Sequence, residues 1–140
     1  MGGAPLAWLF AIALALVAAG CGEDEEGSAT MRPGEACLEC HGADAGGEAP
    51  TFAFAGTVFD GQQGAEGVRV RVEDAEGRVE EVVSNAAGNF FSRAPLTPPF
   101  TVSLTAPGGA TAAMPVAADH GDCNACHAAG GAAGGPLSAP

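Results

Sequence analysis

From residue 51 the chain alternates. Phe52, Phe54, Gly56 and Val58 share one register, the period of a strand with one buried face. Val68, Val70 and Val72 then alternate with Arg69, Arg71 and Glu73, and after the turn Asp74-Ala-Glu-Gly77 the pattern returns over residues 78–84. Asn85-Ala-Ala-Gly88 turns into residues 89–93, which carry Phe90 and Phe91. A proline-containing link over 94–99 leads to Phe100, Val102 and Leu104, alternating with Thr101, Ser103 and Thr105. Pro107-Gly-Gly109 then turns into residues 110–116. Six short strands with frequent turn signals, and no amphipathic helix, predict an all-β chain. The expected fold is a small antiparallel β-sandwich of the immunoglobulin-like or transthyretin-like kind, with strands at about 51–116. Such a small core is marginal alone and gains from a covalent cross-link.

The segments outside this pattern read differently. Residues 6–19 are apolar without a charge, short for a membrane span and the right length for the core of a signal peptide. Ala18-Ala19-Gly20-Cys21 follows and resembles the lipobox of bacterial lipoproteins, with Ala at position 18 where Leu is usual and no Lys or Arg before the apolar run. That resemblance implies a signal peptide over 1–20 and a lipid-bearing Cys21 as the mature N-terminus. More than one acyl chain would hold the protein stably at a membrane. Residues 21–36 are acidic, Gly-containing and aperiodic, the composition of a flexible tether. Residues 128–140, rich in Gly and Ala and ending in Pro, read as an irregular tail.

The chemistry sits at the two ends of the strand region, which with its motifs spans 37–127. Cys37-Leu-Glu-Cys40-His41 precedes the strands and Cys123-Asn-Ala-Cys126-His127 follows them. Both are C-x-x-C-H. Two thiols three positions apart can each add to one vinyl group of a haem, and the adjacent histidine is then placed to ligate the iron. The two motifs use four of the five cysteines and two of the three histidines. The expectation is two covalent c-type haems, with Cys37, Cys40, Cys123 and Cys126 as thioethers and His41 and His127 as proximal ligands, each motif lying in an irregular loop. His120 is the spare histidine and a candidate distal ligand, for the first haem if the two lie together. Met114 and Met31 are the other candidates. An iron with no sixth ligand from the chain is a third possibility. If all six strands reverse through short turns, the chain enters and leaves the sandwich at one end and the motifs lie side by side.

Three other uses of the cysteines stand beside this one: a single Cys₄ zinc site, structural disulfides, and a thioredoxin-like redox pair, which would require a βαβ context. Only haem gives a reason for a histidine after both pairs.

The formal charge is −12, with 17 acidic residues against five basic ones, all arginine. This excludes a nucleic-acid backbone as partner and keeps the chain soluble. No nucleophile–base pair and no phosphate-binding glycine loop is present, so an enzyme is not expected. Asp44, Asp60, Asp74 and Glu76 fall in turns without calcium-loop spacing.

Four runs carry a resemblance. Gly56-Thr-Val-Phe-Asp60, Gly67-Val-Arg-Val-Arg-Val72, Asp74-Ala-Glu-Gly77 and Asn85-Ala-Ala-Gly-Asn-Phe90 resemble the carboxypeptidase regulatory-like (transthyretin-like) β-sandwich, over about 54–106. The resemblance implies a sandwich of about seven strands and no catalysis. The whole arrangement is also similar to small exported bacterial proteins that flank this domain with C-x-x-C-H motifs. Together these readings predict a membrane-anchored dihaem c-type electron-transfer protein of the bacterial cell envelope, on its periplasmic face or at the cell surface. Its partner would be a redox protein or a neighbouring multihaem cytochrome. The alternative is a non-redox binding lipoprotein of the same fold, for carbohydrate or protein, with its cysteines structural or on zinc.

Overall fold

The structure is a computed structural model that describes residues 27–140. The signal peptide, Cys21 and the first part of the expected tether lie outside the described residues. The alternating segments form strands: β1 (Phe54–Asp60), β3 (Arg69–Glu73), β4 (Val79–Val83), β5 (Asn89–Ser92), β6 (Thr101–Thr105) and β7 (Thr111–Ala113). Two-residue strands β2 (Gln63–Gly64) and β8 (Leu137–Ser138), and single helical turns α1 (Leu38–His41) and α2 (Cys123–Cys126), complete the list.

The strands make two four-stranded sheets. One runs β4-β3-β6-β7, and the other runs β2-β1-β5 with β8 on β1. All pairings are antiparallel except β1 with β8. The fold is thus the small all-β sandwich that the alternation predicts. Phe54, Val58 and Phe90 from one sheet meet Val70, Val72, Val102 and Leu104 from the other, with Val68 and Phe100 closing the core. Register decides which of two adjacent phenylalanines goes inside. Phe90 lies opposite Gly56 and is buried, whereas Phe91 lies opposite Ala55 and points out.

Three expectations change. Phe52 shares the Phe54 register but precedes β1 and is outside the core, stacked between His41 and Phe91. Residues 28–36, expected to be part of a flexible tether, instead lie along the outer face of the β1–β5 sheet. There the Ala29 and Met31 carbonyls accept hydrogen bonds from the Asn89 amide, and the Gly34 N–H donates to Thr57 Oγ1. The tail is less irregular than its composition suggests: Leu137 and Ser138 pair with Val58 and Phe59, and the Ala139 N–H donates to the Phe59 carbonyl.

The turn at Asp74 is held by one carboxylate. Its Oδ1 accepts the Glu76 and Arg78 N–H groups, and its Oδ2 accepts Arg78 Nε and the Thr97 N–H. Burial alone would raise this carboxyl's pKa. The hydrogen bonds from Thr97, Arg78 and Glu76 outweigh burial and hold it well below the usual carboxylate range. A depressed folded pKa gives stability that is complete above the unfolded value of about 4 and is lost as pH falls through the folded value. Asp74→Asn is therefore expected to be less stable than wild type at pH 7 and to lose less on acidification to pH 3. Thermal unfolding of both chains at the two pH values checks this; parallel pH profiles would contradict it.

Candidate haem-binding site

Each motif begins as one helical turn. His41 N–H donates to the Cys37 carbonyl and His127 N–H to the Cys123 carbonyl, both at 2.9 Å. A turn of this kind brings positions i, i+3 and i+4 to one side, so each motif presents two sulfurs and an imidazole together.

The second motif is built onto the free edge of β1. An edge strand leaves N–H and C=O groups that must find partners. Here the Ala55 N–H donates to the Gly121 carbonyl at 3.0 Å, and the Thr57 N–H donates to the side-chain Oδ1 of Asn124 at 2.9 Å. Asn124 thus does with an amide side chain what a neighbouring strand would do with its backbone, and β8 takes over further along.

The same residue reaches the first motif. Asn124 Nδ2 donates to the Glu35 carbonyl at 2.8 Å and to Thr57 Oγ1 at 3.1 Å, and lies 3.7 Å from Cys37 Sγ. Thr57 Oγ1 in turn donates to Asn89 Oδ1. Asp122 adds a second stitch, its Oδ2 accepting the Leu38 N–H at 3.0 Å. The two motifs therefore sit side by side at one end of the sandwich, as the even number of strands suggested. The sequence reading did not single out Asp122, Asn124, Thr57 or Asn89, nor Phe52 as a neighbour of His41.

Both motif histidines are held the same way. His41 Nδ1 lies 2.7 Å from the Pro50 carbonyl and His127 Nδ1 lies 3.2 Å from the Gly135 carbonyl. A carbonyl only accepts, so Nδ1 carries the proton in each, and Nε2 of the neutral ring keeps its lone pair. His127 Nε2 is buried with no partner among the described residues. Orientation through Nδ1 on a carbonyl is the arrangement that metal-binding histidines adopt. These two residues therefore fit the iron of a c-type haem.

Their surroundings differ. His41 stacks on Phe52 at 4.4 Å and 18°, Phe52 stacks on Phe91 at 4.7 Å and 20°, and the Arg93 guanidinium lies 5.9 Å from the Phe52 ring centroid. Phe91 is 37% exposed, so this ladder reaches the surface. His127 instead opens on an apolar cavity of about 300 Å³ that Cys123, Cys126, Phe90, Leu104 and Met114 also line. That volume is at the low end for a small-molecule site, so a macrocycle seated there would extend into solvent.

The remaining candidates divide accordingly. His120 also lines this cavity, with Nε2 3.7 Å from Cys126 Sγ. It accompanies the second motif, not the first as the sequence suggested, because the Asp122 N–H donates to its Nδ1. Met31 lies on the outer face of the β1–β5 sheet, away from the cavity lining.

Cys37, Cys123 and Cys126 are free thiols, and Cys40 is disulfide-bonded. Burial first, then the Asp122 carboxylate, pushes Cys37 up to about 11. Burial first, then repulsion from Cys37 and from Asp122, pushes Cys123 up to about 12. The thiolate is the nucleophile, so both sulfurs are quiet at neutral pH. In the folded haem-free chain, Cys37 and Cys123 are expected to react with iodoacetamide at pH 8 at least tenfold more slowly than in the unfolded chain, by mass spectrometry of the labelled peptides. Equal rates would show that neither sulfur is covered.

Compared with known proteins, the chain matches no family model, no curated protein and no solved structure.

Proposed function

We propose that this chain is a lipid-anchored dihaem c-type electron-transfer protein of the bacterial cell envelope. The β-sandwich, of transthyretin-like kind, serves as a rigid mount for two haem-binding turns. The observation that carries the reading is shared by both motifs: each histidine has its Nδ1 proton on a backbone carbonyl and its Nε2 lone pair available. A disulfide or a ligand-binding loop has no use for that duplicated orientation.

Cys37 and Cys40 would hold the first haem, and Cys123 and Cys126 the second. Each thioether would form by addition of an S–H across a vinyl double bond, sulfur to one carbon and hydrogen to the other, without net oxidation. Cys40 would first have to be released from its disulfide by an external dithiol, which gives up two electrons and two protons and is itself oxidised to a disulfide. His41 and His127 would supply the proximal nitrogens. Bound haem supplies reversible one-electron chemistry; the protein fixes its orientation, ligation and exposure. The Asp122 and Asn124 contacts keep the two motifs adjacent, so that electrons pass between them inside one chain. A redox protein or a multihaem cytochrome would be the outside partner.

The second reading treats the cysteines as structural or zinc-binding and the sandwich as a carbohydrate- or protein-binding module without redox chemistry. One experiment separates the two. The full-length chain is produced in a host with cytochrome c maturation machinery, beside a Cys40→Ala, Cys126→Ala variant, and both are stained for haem on a denaturing gel. Stain that co-migrates with wild type and falls away in the variant is expected. A colourless wild-type band, with a control cytochrome maturing in the same cells, would overturn the haem reading; zinc and free-thiol assays then decide what the cysteines do.

A further inference from the structure

Most of the wall of the cavity beside His127 is the core itself. Phe54 and Phe90 of one sheet and Val102 and Leu104 of the other, all buried, line it together with Phe100 and Met114. Residues 118–122 close it on a further side and are pinned to both sheets. Ala118 exchanges two backbone hydrogen bonds with Phe100, ahead of β6, and the Gly121 carbonyl receives the Ala55 N–H of β1. A backbone strut therefore bridges the two sheets and fixes the space between them. Val116 also lines the cavity and is 72% exposed, so its rim is apolar as well. Core side chains that face a void lose packing partners, and the chain gains stability from whatever restores them.

Size, charge and lining narrow what the space takes. The volume is about 300 Å³, and a heavy atom with its share of free space needs about 30 Å³. The cavity thus suits about ten heavy atoms. No arginine lines it, whereas the carboxylates of Asp119 and Asp122 do. An anion entering there would lose its water and meet charge of its own sign. Three phenylalanine rings in the wall favour an aromatic guest, which can meet them edge to face. We infer that this cavity is a binding site for an uncharged aromatic molecule of two fused rings, seated between the sheets against Val102 and Leu104. The site belongs to the chain before any haem is attached, and it does not rest on the haem reading.

The test uses the full-length chain made without haem, and naphthalene as the probe. Nuclear Overhauser contacts are expected from the naphthalene protons to the Val102 and Leu104 methyl groups. The thermal midpoint is expected to rise with naphthalene concentration, as it does for any ligand that binds only the folded chain. 2-Naphthoate, the same two rings with a carboxylate, is expected to bind about tenfold more weakly. Ala118→Phe fills the space from the strut and is expected to weaken naphthalene binding by about tenfold. Met114→Trp, at a half-buried position of the same wall, takes its place if Ala118→Phe does not fold. No binding at saturating naphthalene would overturn the inference. So would binding without contacts to Val102 and Leu104, which is what uptake by the apolar segment 6–19 would give. Naphthoate binding as tight as naphthalene, or unchanged affinity in the folded variant, overturns it equally.

Discussion

Replacing Asn124 by Ala is expected to destabilise the chain by about 3 kcal/mol and to separate the two motifs. The residue is 1% exposed and its side chain makes three close hydrogen bonds, beside a longer one to Cys37 Sγ, that hold different parts of the molecule. It accepts the Thr57 N–H of β1, donates to the Glu35 carbonyl ahead of the first motif, and donates to Thr57 Oγ1. Without the amide, the buried Thr57 N–H loses its partner, and the Glu35 carbonyl keeps only the weak contact from the Cys37 thiol at 3.4 Å. Each orphaned buried group costs about 1–3 kcal/mol. The Thr57 hydroxyl suffers less, because it still receives the Gly34 N–H and donates to Asn89. Urea unfolding of the haem-free chain measures the loss, and amide exchange at Thr57 shows whether it arises where the argument places it. A change below about 1 kcal/mol would mean that water reaches this seam and that the motifs are not held by Asn124. Asn124→Asp is expected to be at least as damaging. It keeps an acceptor for Thr57, loses the donor to Glu35, and sets a second buried carboxylate near Asp122.

That one residue inside C-x-x-C-H has this role shows where the sequence was legible and where it was not. The strands were legible because burial on one side of a pleated segment forces alternation, and residues 68–72 alternate without exception. The adjacency of the motifs was legible as topology, from an even number of reversing strands. The candidate site was legible as a motif, because thiol spacing and a following histidine are side-chain facts. The cover over the β1–β5 sheet was not legible. Residues 28–36 hold the sheet largely through their backbone, with Ala29 and Met31 carbonyls on Asn89 and the Gly34 N–H on Thr57. Backbone groups have no residue signature, so a Gly-containing polar stretch that docks and one that floats are written alike. The tail hid its pairing in the same way, through the backbone of Leu137 and Ser138. The place of His120 beside the second motif was not legible either, because alternation does not say on which side of a sheet a preceding loop turns.

Gly121→Ala is expected to be as costly as the loss of Asn124, by a different route. Gly121 is where the chain joins the β1 edge, its carbonyl receiving the Ala55 N–H. A Cβ at this position would run into the Ala53 carbonyl oxygen and come within 2.8 Å of Phe54 Cα. Those are backbone atoms of the strand and its approach, so no rotamer change relieves the contact. Either the start of β1 is displaced, or the segment carrying Asp122 and α2 lifts from the edge. Overpacking of this kind costs about 1–3 kcal/mol, occasionally more, and lifting also breaks the Ala55 bond and draws Asn124 away from Thr57. A loss of about 3 kcal/mol in urea unfolding is expected, with faster amide exchange at both Ala55 and Thr57. On the proposed dihaem reading, the same substitution would slow electron exchange between the two motifs while leaving the cysteines and histidines of both unchanged. Wild-type stability in Gly121→Ala would mean that the second motif does not rest on this edge.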